Sequence, residues 1–255
     1  MNNVLVVFAM REELAAWRRW RRFRRHSYSP HPIWTTTLGA TQVLATYVGA
    51  GARDIASVEA ITTAFSPSTA IITGVAAGLK PEWRPGDLLA AQAVTAANGS
   101  RRISSDPRLI QLASQCGAKI ASNLVTVPRV ARTPEEKNLL AKVGDAADME
   151  SLQLLQQWST RGLPSLALRV ILDPVEMPIT TDFENTMDAH GQVQILKILA
   201  QLIRQPRLLP DFLHLARESR RSLSILAVFL DRFLEGLELP STLAARQLDE
   251  SGPAV

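Results

Sequence analysis

Short β-branched runs alternate with helix-like runs along most of this chain, and that alternation leaves few architectures open. Val4 to Ala9 predicts a strand, Glu12 to Arg25 a helix, and Ile33 to Leu38 with Gln42 to Val48 a strand pair turning at Gly39. Ala52 to Phe65 then reads as a helix, Thr69 to Thr73 as a buried strand, and Asp87 to Thr95 as a strand following the Pro85-Gly86 turn. Asp106 to Cys116, Thr133 to Val143 and Met149 to Thr160 read as helices, the second opened by Thr-Pro-Glu-Glu. Ser165 to Leu172 is a further strand. Strands separated by helices predict an α/β fold, a largely parallel or mixed sheet covered on both faces. After Asp173 the pattern changes. Pro174 to Asp188 is loop-like, whereas Gln192 to Ile203 and Asp211 to Leu237 are helical. The expected organisation is an α/β domain over 1–188, a helical C-terminal extension packed on it over 189–240, and a frayed tail over 241–255.

Two carboxylates stand where carboxylates are costly unless used. Glu150, in Ala147-Asp148-Met149-Glu150-Ser151, opens a helix-like run, and Asp173 ends the strand Leu168-Arg169-Val170-Ile171-Leu172-Asp173. Strand ends are where open α/β sheets build their sites. The same residues also serve a purely structural reading, in which Asp148 caps a helix and Asp173 caps a turn.

Composition excludes several classes. At 255 residues, with 46% hydrophobic and 20% charged residues, the chain has the balance of a globular protein and no run of about 18 apolar residues to cross a bilayer. The first ten residues carry no signal-peptide pattern and Cys116 is a lone cysteine, so the expectation is a cytoplasmic protein without an internal disulfide. The net charge of +4 is local: Arg11 to Arg25 holds seven arginines against Glu12 and Glu13. Nucleic-acid binders more often show a dispersed basic face, so no nucleic-acid partner is expected. His26, His31, His190 and His214 lack metal-ligand spacing, so no metal is expected.

Four ordered segments carry a resemblance to a known family. Val4 to Leu14 (V-L-V-V-F-A-M-R-E-E-L), Ile71 to Leu89 (I-I-T-G-V-A-A-G-L-K-P-E-W-R-P-G-D-L-L), Ala147 to Ser151 and Leu168 to Asp173 together resemble the purine nucleoside phosphorylase and 5′-methylthioadenosine/S-adenosylhomocysteine nucleosidase superfamily. Arg129 to Lys137 (R-V-A-R-T-P-E-E-K) and Ile203 to Arg217 resemble its hopanoid-associated phosphorylase branch. The resemblance implies a phosphorylase-type central mixed β-sheet flanked by helices, and cleavage of the purine N-ribosidic bond of an adenosyl compound, with a hopanoid-linked adenosine as preferred substrate. It implies Asp173 as general acid to purine N7, Glu13 as water activator, Glu150 on the ribose hydroxyls and Met149 against the sugar. Gly74, Val75, Ala76 and Val130 would line the pocket. It also implies a homo-oligomer and no cofactor beyond inorganic phosphate as a co-substrate. Two alternatives are a soluble nucleosidase for small adenosyl thioethers and a non-catalytic nucleoside-sensing or membrane-adaptor module.

Breaking an N-ribosidic bond builds positive charge on the sugar and negative charge on the departing base, so a proton donor and a nucleophile are needed. Many superfamily members have serine where this chain has Val75, and phosphate-using bacterial members have arginine where it has Ile72. Both differences remove groups that would hold phosphate. Arg53, following Gly49-Ala50-Gly51, is the remaining candidate for an anion site, so hydrolysis and phosphorolysis both stay open, with hydrolysis favoured. On a helical wheel Trp17, Trp20 and Phe23 gather opposite most of the neighbouring arginines. Such a helix either docks its aromatics on the protein's own sheet or lies on the inner face of a membrane as a peripheral contact.

Overall fold

The computed structural model describes residues 2–27, 32–178, 188, 194 and 204–237. Its elements in chain order are β1 (Asn2–Phe8), α1 (Arg11–Trp20), β2 (Arg24–Ser27), β3 (Pro32–Leu38), β4 (Thr41–Tyr47), α2 (Ile55–Phe65), β5 (Thr69–Thr73) and β6 (Val75–Gly78). There follow β7 (Leu88–Ala91), β8 (Ala93–Ala96), β9 (Arg102–Ser104), α3 (Pro107–Gln115), β10 (Lys119–Ala121) and β11 (Leu124–Thr126). The remainder is α4 (Pro134–Leu140), β12 (Ala146–Asp148), α5 (Ser151–Ser159), β13 (Ser165–Asp173), a short 3₁₀ turn (Pro206–Leu208) and α6 (Leu209–Gly236).

The strands form one mixed sheet in the order β2-β3-β4-β1-β5-β13-β6-β12-β11-β8-β9, with β7 joined to β13 and β10. β1 runs parallel to β4 and β5, and β13 runs parallel to β5 and β6 but antiparallel to β7. Nine residues of β13 therefore tie the halves together, and its near-continuous apolar run is what a strand buried on both faces requires. Val4, Val6, Phe8, Leu166, Leu168 and Val170 face a core shared with α1, α3 and α6. Leu5, Val7, Ile72, Ala167 and Ile171 face a second core with α2 and α5. The α/β reading with a central mixed sheet and a C-terminal helix is what the structure contains.

Local boundaries differ where turn chemistry overrides periodicity. The first helix ends at Trp20 instead of running to Arg25, because Arg21 takes an extended conformation and Arg24 to Ser27 pair with Pro32 to Thr35. α2 starts at Ile55, since Ala52 has a positive φ of 54° in the preceding turn. The expected Asp87–Thr95 strand breaks at Gln92, whose backbone bonds to Ala121 and Ser105 as the chain passes from the β7 to the β8 side of the sheet. The helix expected over Gln192 to Ile203, most of the Pro174–Asp188 loop, the tail over 241–255, His31 and His190 lie outside the described residues.

α6 packs across α1 and β13. Trp17 is buried, its Nε1 donating to Asp231 Oδ1 at 2.8 Å, and Arg21 pairs with the same carboxylate at 3.1 Å. Phe23 packs edge-on against Trp17 with ring centroids 4.9 Å apart. Two of the three aromatics proposed for membrane contact therefore dock within the protein, and only Trp20 stays exposed, at 60%. Within Ile225 to Leu230, Leu226, Ala227, Phe229 and Leu230 are buried in the core while Val228 is exposed.

Candidate active site

Glu13 sits in the first turn of α1, just past the end of β1. Its Oε2 accepts from the Met10 amide at 2.9 Å, the bond that closes a helix N-terminus, while its Oε1 accepts from the Val75 amide at 2.9 Å. A plain capping carboxylate would be exposed; this one is buried and tied to a segment 62 residues away. The β5–β6 junction makes the approach possible. Gly74 has φ of 133°, and a Cβ there would lie 2.5 Å from Glu13 Oε2, so only glycine fits both the conformation and the space. β6, to which the sequence reading assigned no element, is a strand held between β12 and β13, which gives the pocket wall a rigid base.

Glu150 follows β12 and precedes α5. It is buried, its Oε1 accepting from Gly51 N at 2.9 Å and its Oε2 from Arg169 Nη2 at 3.2 Å. Gly49-Ala50-Gly51 thus supplies a backbone donor to Glu150. Asp148 accepts from Thr126 Oγ1 at 2.7 Å, from Ser151 N at 3.2 Å and from Arg169. The helix-cap role considered for Asp148 is therefore real, and it is combined with an ion pair.

Asp173 ends β13, where the register against β6 shifts between Ile171 and Asp173. Such an irregularity re-aims the side chain that follows it. The Asp173 carboxylate is buried, with Lys137 Nζ 2.6 Å from Oδ2, an ion pair lying off the line of a well-directed hydrogen bond.

Glu13, Val75, Ala76, Val130, Met149, Glu150 and Asp173, all named from sequence, line one cavity of about 380 Å³, and Gly74 packs behind Glu13. That volume lies in the range of small-molecule sites. Arg53 is not among the lining residues; it is exposed, and its Nη1 donates to the Asp188 carbonyl. Among the described residues, every charged one that lines the cavity is acidic: Glu12, Glu13, Asp148, Glu150 and Asp173.

Electrostatics divides these acids into two units. Burial pushes Glu13 above the ordinary glutamate range while Arg169 and the backbone amides pull it back. Burial likewise raises Glu150, to about 7, against the opposing pull of Arg169 and with Asp148 adding to the rise. Asp173 is raised by burial and drawn down by Lys137. Carboxylic acids raised by burial are better suited to general acid–base work than ordinary exposed ones.

Sequence reasoning gave no role to Arg169 or Lys137, and it left the Asp211–Leu237 helix open between core packing, a subunit contact and the roof of an apolar channel. Arg169, wholly buried in an otherwise apolar strand, donates to Thr73 O at 3.1 Å and to Asp148, Glu150 and Ser151. A lone arginine inside a β-branched run was the available signal. Phe212, Leu215, Ala216, Ser219 and Leu223 of α6 close the cavity on its apolar side. Cys116 is buried with its thiol raised by burial, which suits a packing residue. Among the described residues no group of three or more His, Cys, Asp or Glu side chains is arranged to hold a metal ion, and no helix is long and apolar enough to cross a membrane.

Residues 3–204 match the model of the Phosphorylase superfamily, and the chain belongs to that superfamily; it is an enzyme of N-glycosidic bond cleavage. A search of curated proteins finds no match. Among solved structures, a 5′-methylthioadenosine/S-adenosyl homocysteine nucleosidase from Campylobacter jejuni is similar with a TM-score of 0.71 at 16% identity, covering 92% of this chain and 99% of that one. The 5′-methylthioadenosine/S-adenosylhomocysteine nucleosidase of Neisseria meningitidis, in complex with methylthio-immucillin-A, gives 0.69 at 16% identity over 92% and 99% of the two chains. A futalosine hydrolase from Helicobacter pylori gives 0.69 at 15% identity over 91% and 97%. At these identities the likeness is one of fold.

Proposed function

We propose that this protein hydrolyses the purine N-ribosidic bond of an adenosyl compound carrying a bulky apolar 5′ substituent, with a hopanoid-linked adenosine as the preferred substrate. The observation that carries the reading is the cavity itself: Glu13, Glu150 and Asp173 line it, and among the described residues no Lys or Arg does. An acidic cavity favours the positive charge that develops on the ribosyl group and repels phosphate, so water is the better nucleophile.

The roles follow from position. Asp173 gives its proton to the purine as the N9–C1′ bond breaks and that bond's electron pair leaves with the base. Glu150, fixed by Gly51 and Arg169, accepts hydrogen bonds from the ribose hydroxyls. Glu13, fixed by Met10 and Val75, takes a proton from the attacking water. Met149 packs on the sugar. Arg53, exposed and bonded to the Asp188 carbonyl, lies outside the lining and is the weaker basis for a phosphate site.

The apolar substituent is supported by α6. Phe212, Leu215 and Leu223 cover the cavity, and an adjoining groove of about 440 Å³ shares Glu12, Ala216, Ser219 and Leu223 with it before reaching Arg19 and Trp20. A lipid-linked substrate would leave along this groove toward the exposed Trp20, and the exposed Arg18, Arg19 and Arg22 beside it suit anionic headgroups. Peripheral membrane contact and self-association into a homo-oligomer belong to this proposal. Its test is adenine release from 5′-methylthioadenosine, S-adenosylhomocysteine and an adenosylated hopanoid. The apolar substrate should give the highest kcat/KM; no release from any of the three would overturn the reading.

A further inference from the structure

α4 is a seven-residue helix whose buried residue is its lysine. Lys137 is fully buried while Leu139, two positions on, is 63% exposed. This inverts the usual preference, since lysine is among the residues least often buried without a partner. Its ammonium group explains the inversion. Nζ donates to the carbonyls of Pro174 and Met177 at 2.8 Å each and stands 2.6 Å from Asp173 Oδ2. All three contacts lie at the end of β13 and in the turn that follows it. Thr133 caps α4 by accepting from the Glu136 amide at 3.2 Å, which fixes the helix that presents the lysine.

We propose that Lys137 is the positioning and charge-compensating partner of Asp173: its ammonium holds Oδ2 and the following turn, and neutralises the carboxylate formed when Asp173 gives its proton to the departing purine. The inference rests on the proposed role of Asp173 as acid. In that step the Asp173 O–H bond breaks, purine N7 gains the proton, the N9–C1′ pair leaves with the base, and the new carboxylate remains against the Lys137 ammonium. A cation placed where negative charge appears lowers the barrier more than it stabilises the ground state. The arrangement is specific to this acid. Arg169 influences Glu13 and Glu150, whereas Lys137 is the charged group that bears on Asp173. Glu176 in the adjoining turn is directed to Arg84 at 3.9 Å.

The test compares wild type, Lys137→Met and Lys137→Arg on 5′-methylthioadenosine and on p-nitrophenyl β-D-ribofuranoside, whose leaving group departs without a proton. Lys137→Met is expected to lose at least about tenfold in kcat on the nucleoside, a modest share of what general acid catalysis supplies, and under about threefold on the nitrophenyl riboside. Removing the positive neighbour lets Asp173 keep its proton to higher pH, so the basic limb of the kcat profile should move up by roughly one unit or more. Lys137→Arg should leave the limb in place. Equal losses on both substrates with an unmoved limb would make Lys137 merely structural and overturn the proposal. Should wild type cleave neither compound, the same comparison is made on an adenosylated hopanoid, and only if that too is left intact does the proposed function fail first. Should Lys137→Met not fold, wild type labelled with ¹⁵N-lysine carries the test. A slowly exchanging ammonium resonance that moves in Asp173→Asn is expected, and one indifferent to that change contradicts the pairing.

Discussion

Gly74 and Glu13 occupy each other's space: a Cβ on Gly74 would stand 2.5 Å from Glu13 Oε2 and 2.8 Å from its carboxyl carbon. The missing side chain lets the carboxylate reach the Val75 amide at 2.9 Å and sit within the cavity wall. Gly74→Ala would meet both this overlap and a φ of 133°. It should cost about 1–3 kcal/mol in stability and displace Glu13, lowering kcat by roughly a hundredfold. Thermal melting and steady-state kinetics on the same preparation separate the two effects.

Glu13→Gln keeps the shape but removes the base. One of its two backbone donors, Met10 N or Val75 N, would then face an amide NH₂. The expected result is a loss of about 10² to 10⁴ in kcat with retained binding of a substrate analogue, read by calorimetry. Unchanged turnover would remove Glu13 from the mechanism.

Arg169 balances Asp148 and Glu150 from a wholly buried position. Arg169→Met should destabilise the fold by about 3–5 kcal/mol, because two buried carboxylates lose their cation. Chemical denaturation measures this, and a loss confined to the range of an exposed pair would contradict the arrangement.

Burial lifts Glu150 from an ordinary value of 4.5 to about 7. The folded state then binds a proton that the unfolded chain has already lost, so this group's contribution to stability falls as pH rises between those two values. Glu150→Gln should flatten the decline of melting temperature across that window. A wild-type melting temperature that rises through it, with the variant parallel, would argue against the shift.

Phe212 contributes the largest apolar side chain of the α6 wall. Phe212→Ala should raise KM for an adenosine bearing a long apolar 5′ substituent by about tenfold or more, with much less change for adenosine itself, as expected for losing the burial of an aromatic side chain. Equal effects on both would place the substituent elsewhere.

Much of this site was legible before the fold was known. Glu150 and Asp173 stood out because carboxylates beside apolar strand ends carry a desolvation cost, Glu13 was named only through the family resemblance, and all three line the cavity. Gly74 was readable because bare backbone admits close neighbours. Residues that act from behind the wall were less visible. Lys137 ends the segment Arg129 to Lys137, where a lysine beside Glu135 and Glu136 looks like solvent-facing charge, and the end of β13 gives it its partners. The Arg53 expectation relied on sequence proximity to Gly49-Ala50-Gly51; the turn through Ala52 leaves its side chain exposed. The aromatic stripe read over Trp17, Trp20 and Phe23 holds only in part, since α1 ends at Trp20, Trp20 is exposed, and periodicity does not reveal that α6 returns over 200 residues later to cover Trp17.

In the proposed reaction Glu13 delivers water to the ribosyl carbon while Glu150 holds the ribose and Asp173 protonates the departing base. The most direct measurement is turnover of 5′-methylthioadenosine in H₂¹⁸O, with and without phosphate, with the sugar product analysed by mass. The account predicts adenine release independent of phosphate and one ¹⁸O in a free ribosyl product, abolished together in Glu13→Gln and Asp173→Asn. Phosphate-dependent release of an unlabelled sugar 1-phosphate would contradict it and return the anion site to Arg53.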